Sequence, residues 1–111
     1  MRWTYRLLML ALVACSPVLL SYADSTWTGY VTDTHCGTNC QRTSDMKPDL
    51  KCIQLCVRKG SKYGLWSGNH VYVLEPQWQA ASFAAQNVEV NGTIRNDTIH
   101  ITSIKAVAVG K

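Results

Sequence analysis

Four cysteines stand as two Cys-x3-Cys pairs, Cys36/Cys40 and Cys52/Cys56, with eleven residues between the pairs and His35 abutting the first. Sulfurs so spaced can do three kinds of chemistry. In an oxidising compartment they close into two disulfides. As thiolates, all four, or three of them with His35, could hold zinc or Cu(I) in a tetrahedral site. A redox-active pair would instead call for Cys-x2-Cys at the start of a helix that follows a strand, where the thiol pKa is lowered. That arrangement is missing from the sequence. Structural zinc sites also favour tighter Cys-x2-Cys knuckles, and exported thiols oxidise, so two disulfides are the expected state and metal binding is the alternative.

The compartment is read from the first residues. Arg2 and Arg6 make a positive start, Leu7 to Ala14 an apolar stretch, and Ser21-Tyr22-Ala23 a small-residue cleavage site. Ser16-Pro17 interrupts the apolar run, which is too short for a membrane span. Residues 1–23 therefore read as a signal peptide and 24–111 as one exported domain, periplasmic or extracellular. Leu12-Val13-Ala14-Cys15 also resembles a lipobox, in which Cys15 would be lipidated and anchor the chain at the cell envelope. The apolar residues that resume at Val18-Leu19-Leu20 fit ordinary cleavage better. Either way Cys15 falls outside the folded domain and accounts for the odd total of five cysteines.

The elements that must position the sulfurs can be placed from the pattern. Trp27 to Asp33 alternates as a strand, with Gly29 marking a bend or a close backbone crossing. Residues 34–48 form a loop around the first cysteine pair. A helix is expected from about Pro48, with Asp49 favourable at its N-terminus and Leu50, Ile53 and Val57 as its apolar stripe. Cys52 and Cys56, four apart, share a face. Arg58, Lys59 and Gly60 form its stop signal. An antiparallel approach of loop and helix favours Cys36–Cys56 with Cys40–Cys52. The crossed pairing Cys36–Cys52 with Cys40–Cys56 is the alternative, and a bond within Cys52/Cys56 would strain the helix.

Strands are expected at Lys62 to Trp66 and His70 to Leu74 around a Ser67-Gly68-Asn69 turn. A short alanine-rich helix from Gln77 to Gln86 should turn Trp78, Ala81 and either Ser82 or Ala85 towards the body. Val88 to Arg95 and Thr98 to Ala108 form a hairpin about Asn96-Asp97. Its apolar phase slips near Ser103, so a β-bulge there is expected to bring Val90 opposite Ile104. Five strands with a helix between the third and fourth match the order of an OB-fold barrel, here with a disulfide-pinned helix inserted after the first strand. The fold class is thus mainly β with helices.

Gly29-Tyr30-Val31-Thr32-Asp33, His35-Cys36-Gly37, Cys52-x3-Cys56 with Gly60, and the hairpin VEVNGTIRNDTIHITSIK resemble a family of small exported bacterial proteins with a domain of unknown function. Members carry one early Cys-Gly and a later Cys-x3-Cys, often with a histidine in the intervening loop. Cys40 departs from that pattern, and the additional sulfur favours two closed disulfides here. The resemblance implies no activity.

Enzyme signatures are lacking: no serine sits in a nucleophile elbow near Asp33 and His35, and no glycine loop would cradle phosphate. Asp45 and Asp49 suit a helix start better than acid/base work, and the Asn-x-Thr triplets at Asn91 and Asn96 suit a strand and a turn. Two other surfaces could bind ligands. Lys47, Lys51, Arg58, Lys59 and Lys62 cluster around the second cysteine pair and could attract an anionic surface or saccharide, although the solvated face of a cationic helix is the preferred explanation. Tyr30, Tyr63 and Tyr72, if they shared a face, could stack on sugar rings, although core packing explains the aromatics as well. The expected function is a non-enzymatic binding or structural module without cofactor. The alternatives are a periplasmic copper- or zinc-binding protein and an oligosaccharide-binding barrel. No nucleic-acid partner is expected.

Overall fold

A computed structural model describes residues 24–40 and 47–108. The expected signal peptide, with the candidate lipidation site Cys15, lies outside the described residues. The chain runs β1 (Ser25–Asp33), a 3-10 turn (Gly37–Cys40), α1 (Leu50–Arg58), β2 (Tyr63–Ser67), β3 (His70–Glu75), α2 (Gln77–Ala81), β4 (Asn87–Arg95) and β5 (Thr98–Ala106). The fold is mainly β with two short helices. Neighbouring strands follow the order β1-β2-β3-β5-β4 and the ring closes from β4 back to β1. All pairings are antiparallel except β3 with β5.

Turn chemistry sets the registers. Asn96 and Asp97 both take positive φ, 51° and 59°, as a two-residue turn matching the strand twist requires. Arg95 therefore faces Thr98 and Ile94 faces Ile99. Further along, Gly92 faces Ile101 while Asn91 faces Ser103. Thr102 is the extra residue of the expected bulge, and it restores Val90 opposite Ile104.

Val31, Leu65, Leu74, Ala80, Val88, Val90 and Ile99 fill the ring's interior, flanked by Trp27, Tyr63, Tyr72 and Phe83. A second, smaller cluster of Cys40, Ile53 and Ala85 lies under α1, and Tyr63 packs against both. Ile53 is the fully buried residue of α1, so the helix contributes little apolar burial of its own. Something besides packing must hold it.

α1 begins slightly later than expected. Asp49 is its N-cap and accepts from the Lys51 amide at 3.0 Å, which places Pro48 outside the helix. The C-terminus closes as a Schellman motif: the Gly60 amide donates to Val57 O and the Ser61 amide to Cys56 O, with Gly60 at φ 107°. Asp49→Ala removes the cap and should lower stability by about 1 kcal/mol, read as a shift of the urea midpoint at unchanged slope.

α2 corrects the expectation for residues 77–86. It ends at Ala81, and Trp78, expected against the body, is 74% exposed. Ala80 is the buried residue of this helix. The Gln77 side chain fixes that rotation: it accepts from the Tyr63 amide at 2.7 Å and donates to the carbonyls of Tyr63 and Leu74. Beyond α2, Ala85 adopts φ 66° and its amide donates to Val31 O, while the Val31 amide donates to Gln86 O. This sharp bend seats the connection on β1 and carries the chain into β4.

Candidate functional site: a paired-disulfide cluster beside a buried carboxylate

β1 ends in three buried residues, Val31, Thr32 and Asp33. Asp33 organises everything that follows. Its Oδ2 accepts from the His35 amide at 3.1 Å, the Cys36 amide at 2.7 Å and the Ser61 hydroxyl at 2.9 Å. The side chain thus bends the chain as an Asx turn and ties that bend to the segment leaving α1. Thr32 Oγ1 donates to Gly37 O at 3.0 Å, and the Thr34 amide donates to Lys62 O at 2.8 Å. These bonds hold the first cysteine pair against the helix carrying the second.

The sulfurs take the pairing that the antiparallel approach favours. Cys36 bonds to Cys56 with Cα atoms 6.6 Å apart, and Cys40 to Cys52 with Cα atoms 5.5 Å apart. The two bonds are neighbours, since all four sulfurs lie within 4.8 Å of one another. Cys40 is fully buried. Cys36 and Cys56 line a cleft of about 590 Å³ with Thr34, His35, Lys59 and Ser61. His35 is exposed at that cleft and does not belong to the compact sulfur group. The set His35, Cys36, Cys40, Cys52, Cys56 therefore narrows to its four sulfurs.

The helix gives the two bonds different electrostatics. Cys52 is the third residue of α1 and Cys56 the third from its end. The positive end of the helix dipole lies at Cys52 and the negative end at Cys56. Asp33 Oδ1 lies 3.7 Å from Cys40 Sγ. The oxidised sulfur has no proton to give, so this contact becomes a hydrogen bond only when Cys40 is a thiol.

The tyrosines do not converge. Tyr72 faces Leu65, which faces Val31, whereas Tyr30 faces Trp66. Neighbours paired across strands share a face, so Tyr72 lies on the interior face, where Tyr63 also packs, and Tyr30 on the opposite one. The three tyrosines therefore do not form one face, and Tyr63 and Tyr72 pack against the ring core. Tyr72 packs with Trp27 at 6.4 Å between ring centroids. Among the basic residues, Lys51 and Arg58 are exposed on α1 and Lys59 caps its C-terminus, Lys62 lies 3.7 Å from Glu75, and Lys47 lines a separate recess with Asp49 and Leu50.

Sequence reasoning passed over Asp33. Its signal was present as an Asp two and three residues before the amides of His35 and Cys36, the spacing of an Asx turn. Burial of that carboxylate is a tertiary fact, set by Ser61 arriving from the far end of α1. Compared with known proteins, the chain matches no family model, no curated protein and no solved structure.

Proposed function

We propose that this chain is an exported, non-enzymatic binding or structural module built on an OB-like barrel, with α1 stapled to it by two disulfides. The observation that carries this reading is the strand ring β1-β2-β3-β5-β4 with its parallel β3–β5 contact, joined to a helix that has one fully buried side chain and is tied to the preceding loop by the two sulfur bridges. The disulfides and the export-signal pattern support placement outside the cytoplasm. The resemblance to small exported bacterial proteins supports the same placement. Exposed cations around α1 offer an anionic surface or saccharide a docking face, and Tyr30 with Trp66 supplies a candidate stacking face for a sugar.

A second reading is favoured by the sulfur spacing. Tetrahedral zinc with Zn–S bonds of about 2.3 Å needs sulfurs ~3.8 Å apart, and the four present within 4.8 Å need little movement once reduced. The residues fit a four-thiolate site for zinc or Cu(I), although the neighbouring Asp33 adds a negative charge to an already anionic ligand set. Thiol counting on the purified protein, denatured without reductant, separates the readings. Zero thiols among Cys36, Cys40, Cys52 and Cys56 is the expected result. Four thiols with one equivalent of metal would overturn the disulfide module and establish the metal centre.

A further inference from the structure

We infer that the paired bridges form a thiol–disulfide exchange site for a small anionic thiol, with Cys36–Cys56 as the entry bond, Cys40–Cys52 as the inner bond, and Asp33 as the acceptor for the reduced Cys40 thiol. The inference rests on the two-disulfide reading. Thiol counting decides that reading first, so the two can fail separately.

Three observations carry it. Cys36 and Cys56 face a cleft whose lining, among the described residues, includes Lys59 and His35 and no carboxylate, so an anionic thiol is attracted to the outer bond. Every sulfur lies within 4.8 Å of the others, so a thiolate freed at one bond reaches the other with a side-chain rotation. The inner bond is flanked by groups suited to its reduced form: the first turn of α1 at Cys52, and the buried Asp33 Oδ1 at Cys40. The sequence lacks a Cys-x2-Cys motif, and tertiary contacts supply the equivalent features.

Atoms and electrons balance at each step of the exchange. A thiolate attacks Cys56 Sγ, forming a mixed disulfide and expelling Cys36 as thiolate. Cys36 attacks Cys40 Sγ, which forms Cys36–Cys40 and sends the electron pair to Cys52 at the helix N-terminus. A second external thiolate attacks the external sulfur of the mixed disulfide, releasing the oxidised small molecule and a Cys56 thiolate. Cys56 then attacks Cys36, re-forming Cys36–Cys56. Cys40 leaves, takes up a proton and donates it in a hydrogen bond to Asp33 Oδ1. Two thiols and the Cys40–Cys52 bond thus become one small-molecule disulfide, a Cys40 thiol, a Cys52 thiolate and one released proton. The protein is consumed stoichiometrically, as a non-enzymatic module would be.

The test uses wild-type protein in glutathione buffers, quenched with iodoacetamide and mapped by peptide mass spectrometry. Glutathione should appear first on Cys56, and free thiols should accumulate at Cys40 and Cys52. Cationic cysteamine at equal thiolate concentration should react several-fold more slowly, relative to an unhindered disulfide. In Asp33→Asn the amide oxygen can still serve the three donors at Oδ2, while its NH2 faces Cys40. The inner bond should then be about tenfold harder to reduce at equilibrium. Glutathione found first on Cys40 or Cys52, equal rates for the two thiols, or an unchanged equilibrium in folded Asp33→Asn would each overturn the proposal. If Asp33→Asn fails to fold, the wild-type adduct map decides alone.

Discussion

Complete reduction of Cys36–Cys56 and Cys40–Cys52 should release α1 while the strand ring persists. In the chain-entropy model each bridge, spanning 20 and 12 residues, is worth about 3 kcal/mol alone. The inner loop is nested within the outer, so the two together contribute less than their sum, about 4 kcal/mol. The loss is local for a structural reason. Both bridges join segments within residues 36–56, and their cluster is separate from the ring core of Val31, Leu65, Leu74, Val88, Val90 and Ile99. Ile53 alone buries too little to hold a nine-residue helix. Hydrogen exchange after reduction with a phosphine should therefore show loss of protection at Ile53 to Arg58 and retained protection in the β4–β5 hairpin. Simultaneous collapse of both regions would show that the helix belongs to the ring's folding unit.

Gly92→Ala should be the most damaging single substitution in the ring, with Gly29→Ala close behind. A Cβ on Gly92 would overlap the His100 carbonyl oxygen and lie 2.9 Å from its carbon, and both atoms are backbone of the paired strand. On Gly29 the Cβ would overlap the Trp66 carbonyl oxygen, with its carbon at 2.8 Å and Ser67 Cα at 3.2 Å. Backbone cannot rotate away as a flexible side chain could, so the strands must separate where β4 meets β5 or where β1 passes β2. We expect losses of at least about 3 kcal/mol in each case, in the range of severe core disruption. Gly60→Ala is the control. Its Cβ would meet nothing within 4 Å, although φ is 107°, so only the backbone cost of about 1–2 kcal/mol applies. Urea titration of the three variants checks the ranking. Equal effects at Gly60 and Gly92 would mean that conformational freedom, and not strand proximity, explains the glycines.

These glycines also show what was legible in the sequence. Mid-strand Gly29 signals a bend or a close backbone approach even without a known partner strand, because a strand interior otherwise gains from a side chain. The slip near Ser103 is readable because period-two alternation breaks visibly when one residue is added, and Thr102 is that residue. The sulfur pairing follows from a helix and a loop running antiparallel. Trp78 is misplaced by the sequence pattern because helical periodicity fixes spacing but not rotation, and the rotation here comes from Gln77 reaching the backbone of Tyr63. Whether the tyrosines share a face was not legible, because parity within a strand does not carry between strands until register is known. Asp33 escapes notice because a carboxylate's burial depends on what arrives from elsewhere in the chain.

The identity of the joined sulfurs is the central claim. Stepwise partial reduction of the purified protein, with a different alkylating reagent at each step, reads this directly. Cys36 and Cys56 should acquire one label together, and Cys40 and Cys52 the other. Labels shared by Cys36 with Cys52 and by Cys40 with Cys56, or all four sulfurs accepting the first label before any reductant is added, would contradict it.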